Sequence, residues 1–119
     1  MGILKIKLAG IYKITHSSGY YYIGKSVDIF SRWQSHYTSL KLKKHSSPSF
    51  LKLWNNSKIE DWTFEIIFYI SKSDFKNNTS LKGKPLDKAF DKYLLAMEKT
   101  FMKKYSVNFA LNKMNKSFS

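Results

Sequence analysis

The chain has 119 residues, of which 21 are Lys or Arg and 8 are Asp or Glu, so its formal net charge is +13. Its length fits one small domain, and 43% hydrophobic and 17% aromatic residues provide enough apolar area for a modest core. The absence of cysteine excludes disulfides, thiolate metal sites and cysteine nucleophiles. The positive surplus indicates a polyanionic partner, first nucleic acid, with an anionic membrane surface or a merely solvated basic surface as alternatives.

Nothing in the sequence is typical of a membrane protein or a secreted one. No apolar run approaches the roughly 20 residues that a membrane-spanning helix needs. The first eight residues alternate lysine with aliphatic side chains and do not build the apolar core of a signal peptide. We therefore expect an intracellular, soluble protein without a membrane partner.

A β-hairpin is predicted near the N-terminus. Residues 8–16 are rich in β-branched and aromatic side chains, and residues 20–25 read as the returning strand. Between them, residues 17–19 have the sequence Ser-Ser-Gly, which suits a three-residue turn.

The turn length fixes which residues face each other across this hairpin. A three-residue turn pairs His16 with Tyr20, so Tyr12 lies opposite Gly24. Tyr12 and Tyr22 then share one face of the hairpin, diagonal to each other, and Gly24 leaves space beside the Tyr12 ring. A slip of one residue in the turn would break this arrangement.

A helix is predicted to follow, with Asp28 as its N-cap and its end near residue 42. Arg32 and His36, four residues apart, flank one side of its apolar stripe. The stripe is formed by four side chains: Ile29, Trp33, Tyr37 and Leu40.

The middle of the chain predicts one more helix and one more strand. The helix starts after Ser47, with Pro48 in the first helical position, and stops at residues 55–56. Residues 62–70 are largely apolar and predict a central third strand. Residues 71–85 are polar and rich in turn formers, so we expect a flexible or inserted loop there.

Residues 86–105 predict the longest helix and carry an unusual glutamate. Each helical neighbour of Glu98 at three and four residues is apolar, so Glu98 has no local ion-pair partner at the edge of the buried stripe. A carboxylate there needs an arginine, hydrogen-bond donors or a metal ion from elsewhere in the fold. The stripe itself comprises Phe90, Leu94, Met97 and Phe101.

Together these residues resemble the GIY-YIG endonucleases, a family that includes the intron homing endonucleases. The resemblance rests on residue types in family order: Gly10-Ile11-Tyr12, Tyr22-Ile23-Gly24, Arg32, His36, Glu98 and Asn112. It implies one nuclease domain over residues 1–119, with a core of about 8–112. The implied α/β (α+β) fold is a small, mostly antiparallel three-stranded sheet flanked by helices.

The resemblance also implies an activity: metal-dependent hydrolysis of DNA to 5′-phosphate and 3′-hydroxyl ends. By this resemblance Tyr12 helps to activate the attacking water, beside Tyr22 of the second tripeptide. Arg32 and His36 are implied as further catalytic residues, and Glu98 as the single metal-binding carboxylate.

Other residues are assigned supporting roles by the same resemblance or by their charge. Asn112 resembles the asparagine that orders the site, and Gly10 and Gly24 are structural neighbours of it. The segment His45-Ser46-Ser47 is similar to one in phage homing enzymes, which leaves His45 as a phosphate contact or a loop residue. Basic side chains that contact phosphate or are simply solvated are Lys25, Lys41, Lys43, Lys44 and the Lys82 and Lys84 pair.

Elementary chemistry agrees with these roles. The Arg32 guanidinium can hold a phosphate through two hydrogen bonds. A hard cation on Glu98, Mg²⁺ or alternatively Mn²⁺, can keep most of its waters, so one protein carboxylate suffices. Tyrosine, with an ordinary pKa of about 10, is a poor base unless cations stabilise its phenolate. His36, with an ordinary pKa of about 6.5, is the alternative general base.

Two other interpretations remain at this stage. One is a catalytically inactive nucleic-acid-binding module of the same fold, and the other is an RNA-associated structural protein, which charge alone supports. We expect DNA as the partner, no small-molecule cofactor, and either a monomer or a transient dimer. We also expect no separate C-terminal DNA-binding module in these 119 residues, which leaves the target site unassigned.

Overall fold

The computed structural model describes residues 8–45, 47–105 and 107–111. Short 3₁₀ turns precede the third strand and follow the last helix. The main elements in chain order are β1 (Gly10–His16), β2 (Tyr21–Ser26), α1 (Ile29–Lys41), α2 (Pro48–Asn55), β3 (Trp62–Tyr69), α3 (Lys72–Asn77) and α4 (Gly83–Met102).

The three strands form one antiparallel sheet in the order β2-β1-β3. The expected fold, a small antiparallel sheet with helices, is therefore confirmed, but the prediction that β3 is central is wrong. Consecutive residues of β1 are buried, because helices cover both faces of the middle strand. On β3, Thr63, Glu65 and Tyr69 are exposed, as expected of an edge strand.

Two apolar layers hold the helices against the sheet. On one face, Tyr12 and Ile14 of β1 pack with residues of α1 and α2, among them Leu40 and Phe50. On the other face, Ile11 and Ile23 pack with Met102 at the end of α4. Each fully buried side chain of this size contributes about 1.5–3 kcal/mol. The sheet is thus the middle layer, with α1 and α2 on one face and α4 on the other.

The hairpin has the predicted register. The His16 amide donates to the Tyr20 carbonyl at 2.7 Å, and Tyr12 lies opposite Gly24. Gly19 closes the turn with a positive φ of 101°, a conformation that glycine adopts without steric cost. The side chains of Tyr12 and Tyr22 therefore lie on the same face.

Helix α1 begins after Asp28, as predicted, and the Asp28 carboxylate accepts a hydrogen bond from the Ser31 amide at 3.3 Å. The predicted apolar stripe is wrong at Tyr37, which is 46% exposed. His36 is buried in its place, at 4% exposure. Positions seven residues apart lie on one helical face, so His36 falls in line with Ile29.

Helix α2 has the predicted start. Pro48 is its first residue, and the Ser47 hydroxyl caps it by accepting a hydrogen bond from the Phe50 amide at 3.3 Å. The Ser47 hydroxyl also donates to the Leu111 carbonyl at 2.5 Å. One residue thus joins the start of α2 to the end of the described chain.

The loop predicted over residues 71–85 is replaced by α3 and the first residues of α4. Ser71 caps α3, and Phe75 packs on Phe90 and Tyr93 of α4 at ring distances of 5.1 and 5.3 Å. One aromatic anchor in a polar segment is enough to dock a short helix. Although α4 has 20 residues, no helix in the described ranges is long and apolar enough to cross a membrane.

Candidate active site

The Tyr12 side chain lies inside the sheet-helix interface, directly against Gly24. Tyr12 is 1% exposed, and a Cβ placed on Gly24 would lie 2.3 Å from the Tyr12 hydroxyl oxygen. No side chain fits there while Tyr12 keeps its position. Burial raises the pKa of the Tyr12 phenol well above its ordinary value, Tyr22 and Glu98 add to this, and Arg32 opposes it.

Tyr22 stacks beside Tyr12, with ring centroids 6.5 Å apart and planes at 18°. It also contacts Phe50 of α2 at 5.2 Å and the His36 ring at 4.7 Å. Burial raises the pKa of the Tyr22 phenol, against a smaller lowering effect of Arg32. The two tyrosines of the hairpin therefore form one aromatic wall.

Arg32 of α1 connects the two tyrosines. Its guanidinium interacts electrostatically with both the Tyr12 and the Tyr22 hydroxyls. Although partial burial acts to lower the Arg32 pKa, these phenol contacts raise it overall. A fixed positive charge thus lies at the hydroxyl ends of both rings.

His36 lies one helical turn after Arg32, with its Nε2 2.5 Å from the Tyr12 hydroxyl. On the other side, its Nδ1 is 2.6 Å from the Nε2 of His45. Burial lowers the His36 pKa from 6.5 to about 3, and the positive charges possible on His45 and Arg32 add to this. His36 is therefore a neutral imidazole at pH 7.

His45 belongs to the site through its contact with His36, and this contact was not predicted from the sequence. Its Nδ1 accepts a hydrogen bond from the Ser47 amide at 3.0 Å, so both ring nitrogens are engaged within the protein. This geometry does not favour direct phosphate contact, which stays a prediction. The similarity of residues 45–47 to a segment of phage homing enzymes is the sequence signal for His45. For Ser47 the sequence predicts only the start of a helix.

Glu98 approaches the site from α4, on the other side of β2. Its carboxylate is half-buried. Burial raises the Glu98 pKa, while the charge and the backbone of Lys25 and the charges of Arg32 and Lys99 act to lower it. Polar groups of other elements, Lys25 of β2 and Arg32 of α1, thus act on this carboxylate.

Gly10 is close to the site and has a packing role. A Cβ on Gly10 would lie 2.0 Å from the Phe68 carbonyl oxygen of β3. The pairing of β1 with β3 shifts register just after it, between Ile11 and Tyr12. Glycine therefore permits the close approach of the two strands at this irregularity.

The structure separates the basic side chains that were assigned to nucleic acid. Lys25 forms an ion pair with Asp91 at 2.9 Å, and Lys41 and Lys43 are exposed. Lys44 lies at a cavity of about 240 Å³. Asn112 lies outside the described residues. The cavity is lined by Arg32, Ser35, His36, Ser39, Lys44 and His45.

The described residues offer no cluster of three or more His, Cys, Asp or Glu side chains that could hold a metal ion by themselves. Glu98 acts electrostatically on the phenols of both Tyr12 and Tyr22.

The sequence and fold were compared with known proteins. Residues 8–112 match the GIY-YIG catalytic domain family. Among solved structures, the catalytic domain of the intron endonuclease I-TevI, in a point-mutant form, matches with a TM-score of 0.51 and 26% sequence identity. The match covers 57% of this chain and 71% of that one. Comparison with curated proteins finds no match.

An antiparallel three-stranded sheet with flanking helices matches the GIY-YIG catalytic domain of a known nuclease. The chain belongs to the GIY-YIG family and is an endonuclease catalytic domain of that family. Nucleases of this family generally depend on a divalent metal ion.

Replacement of Gly24 by alanine is expected to lower the rate of DNA cleavage by at least about 100-fold, because the added methyl group displaces the Tyr12 ring from its position. The rate of plasmid nicking measures this, and circular dichroism checks the fold. Val27→Ala, at an exposed site three residues later, is the control. A Gly24→Ala enzyme as fast as the parent would show that the Tyr12 position is not required.

The free energy of unfolding is expected to rise with pH between about 3 and 6.5. In this window the unfolded chain protonates His36 whereas the folded protein does not, so stability is present above pH 6.5 and lost as the pH falls. The contribution of His36 is at most about 1.4 kcal/mol per pH unit. Urea unfolding at several pH values measures it.

The variant to compare is His36→Gln. Its free energy of unfolding should depend less steeply on pH than that of the parent. His16→Gln controls for loss of a histidine elsewhere in the sheet. The raised pKa of Glu98 works in the opposite sense, so the difference between parent and variant is the quantity to compare. Identical slopes would contradict a neutral, buried His36.

Proposed function

We propose that this domain is a metal-dependent DNA endonuclease that hydrolyses phosphodiester bonds to 5′-phosphate and 3′-hydroxyl ends. The observation that supports this most directly is the electrostatic interaction of Arg32 with both Tyr12 and Tyr22, in the electrostatic field of Glu98. Two phenols, one guanidinium and one carboxylate supply an activating group, a phosphate contact and a cation ligand. The net charge of +13 favours a polyanionic substrate.

The scissile phosphate is assigned to Arg32. A guanidinium has five N–H donors, so it can hold two phenols and still contact a phosphate oxygen. The cavity beside it is lined by Ser35, Ser39 and Lys44. The two serine hydroxyls donate to the Ser31 and His36 carbonyls, and the Lys44 ammonium can donate hydrogen bonds to phosphate. We therefore assign Lys44 to the neighbouring backbone phosphate, with Lys41 and Lys43 as outer, nonspecific contacts.

Tyr12 is assigned to the attacking water. In the protein alone its pKa is raised by burial, so it needs the positive charge of Arg32 to approach the phenolate form. Tyr22 shares Arg32 with Tyr12 and keeps the second phenol oxygen beside the phosphate. Asn112, which follows Leu111, is assigned to ordering the site.

Glu98 is assigned as the protein ligand of one divalent cation, Mg²⁺ or alternatively Mn²⁺. The residues fit such an ion in one respect: a half-buried carboxylate whose pKa is raised by burial gains from a bound cation. Mg²⁺ commonly uses one or two carboxylates together with substrate phosphate and water. When bound, the ion supplies charge that stabilises the leaving 3′-oxygen.

One such set of residues is present in the described part of each chain. Cutting both strands of a duplex at one place would therefore take two successive nicks or a transient dimer. No second carboxylate is assigned as a ligand of the cation. The proposed partner of the domain is DNA.

In the decisive experiment, purified protein is incubated with supercoiled plasmid and Mg²⁺. The parent is expected to nick or linearise the plasmid, and Glu98→Gln and Arg32→Ala are expected to be slower by about 10²- to 10³-fold, because each removes charge from the transition state. Glu65→Gln, on the exposed edge of β3, is the matched control for Glu98→Gln. Binding without cleavage across several divalent ions would instead indicate a catalytically inactive binding module.

Lys44→Ala is expected to weaken DNA binding uniformly across sequences and to reduce the slope of log K against log salt by about 1, because it removes one phosphate contact. Titration of labelled duplex at several salt concentrations measures both. Lys58→Ala, an exposed lysine outside the cavity lining, is the control. Equal slopes for Lys44→Ala and the parent would remove Lys44 from the DNA path.

A further inference from the structure

Three aromatic side chains of the site form one hydrogen-bonded row that ends on a backbone amide. The Tyr12 hydroxyl is 2.5 Å from the His36 Nε2, and the His36 Nδ1 is 2.6 Å from the His45 Nε2. The His45 Nδ1 is 3.0 Å from the Ser47 amide nitrogen. All three distances are those of direct hydrogen bonds, so the groups touch without intervening water.

The amide at the end of the row decides the direction of every bond in it. A backbone N–H can only donate, so the Nδ1 of His45 is an acceptor without a proton. A neutral His45 then carries its proton on Nε2 and donates it to the Nδ1 of His36. A neutral His36 in turn carries its proton on Nε2 and donates to the Tyr12 hydroxyl oxygen.

The reverse direction fails on proton count. If Tyr12 donated to the Nε2 of His36, His36 would donate from Nδ1 to the Nε2 of His45. His45 would then have no proton on either nitrogen, which is an imidazolate anion. An extra proton on either ring would place two N–H groups face to face in one of the contacts. The lowered pKa values of both histidines agree with a row that accepts no proton.

Packing prevents the end of the row from turning away. The His45 ring stacks on His36, with centroids 4.9 Å apart and planes at 20°, and it contacts Phe50 at 4.8 Å. Ser47 is the N-cap of α2, and its hydroxyl bonds the Phe50 amide and the Leu111 carbonyl. The Ser47 amide therefore belongs to a helix start that is held by the Phe50 amide on one side and the Leu111 carbonyl on the other.

We propose that His45 is a positioning residue, which holds His36 in the Nε2–H tautomer so that His36 donates to Tyr12 and cannot accept its proton. This inference rests on the proposed function for its catalytic meaning. If His36 cannot accept a proton, it is not the general base of the reaction. With His36 donating to the Tyr12 oxygen and the positive charge of Arg32 acting on it, the row stabilises a Tyr12 phenolate but cannot accept the phenol proton.

The direction of the row can be measured in the parent protein without DNA, metal or any substitution. Nitrogen-15 NMR of the histidine rings at pH 7 distinguishes protonated from unprotonated ring nitrogens. We expect the proton of His36 on Nε2 and that of His45 on Nε2. A proton on the Nδ1 of His36 would overturn the proposal whatever the enzyme does with DNA.

The role of His45 is tested by an isosteric pair of variants. The side-chain amide of His45→Gln can still donate to the Nδ1 of His36, whereas the carboxylate of His45→Glu can only accept. We expect His36 to keep its Nε2–H tautomer with glutamine and to gain a proton on Nδ1 with glutamate. The glutamate variant should nick plasmid at least about tenfold more slowly than the glutamine variant.

The outcomes separate this inference from the proposed function. If His36 shows the expected tautomers but the parent never cuts DNA, the direction of the row stands and the endonuclease assignment fails. If His36 has the same tautomer in both variants, His45 does not set the tautomer and the proposal is wrong. If the parent cuts DNA and both variants cut at the same rate, the tautomer has no effect on cleavage and the positioning role of His45 is wrong. Circular dichroism of both variants confirms that folded proteins are compared.

Discussion

The contact between the Tyr12 ring and Gly24 is the constraint on which the rest of the site depends. The ring occupies the space that a Cβ at Gly24 would fill, and it reaches His36 and Arg32 only from there. The two tripeptides of the hairpin are therefore two halves of one contact, joined by the register of β1 and β2. Because side chains alternate between faces along a strand, a slip of one residue would move Tyr12 to the α4 side.

Burial of this site is costly, and hydrogen bonding offsets the cost. A phenol and an imidazole buried without partners would each destabilise the fold by about 1–3 kcal/mol. Here Tyr12, His36 and His45 satisfy one another, and the row ends on an amide that α2 does not use for its own hydrogen bonds. The start of α2 thus stabilises both a helix and the protonation pattern of the site.

The sequence predicts what is local and misses what depends on distant pairing. The helix cap at Asp28, the helix start after Ser47 and the three-residue turn are local signals, and all three are confirmed. The edge position of β3 could not be predicted, because its sequence is nearly as apolar as that of a central strand. The groups that act on Glu98 include the backbone of Lys25, which no residue-type pattern reveals. The contact of His45 with His36 likewise depends on the course of the connection between α1 and α2, which local sequence does not predict.

The side chain at position 32 must interact with two phenols and a cavity at once, and this explains why the position suits arginine. Its guanidinium interacts with the hydroxyls of Tyr12 and Tyr22 and also borders the cavity that Lys44 lines. A lysine ammonium is a compact point charge on a flexible stem, and it could not keep two phenols in fixed directions while facing a phosphate. A planar fork with five donors can do both. The charge that opposes the effect of burial on the pKa of both phenols therefore also borders this cavity.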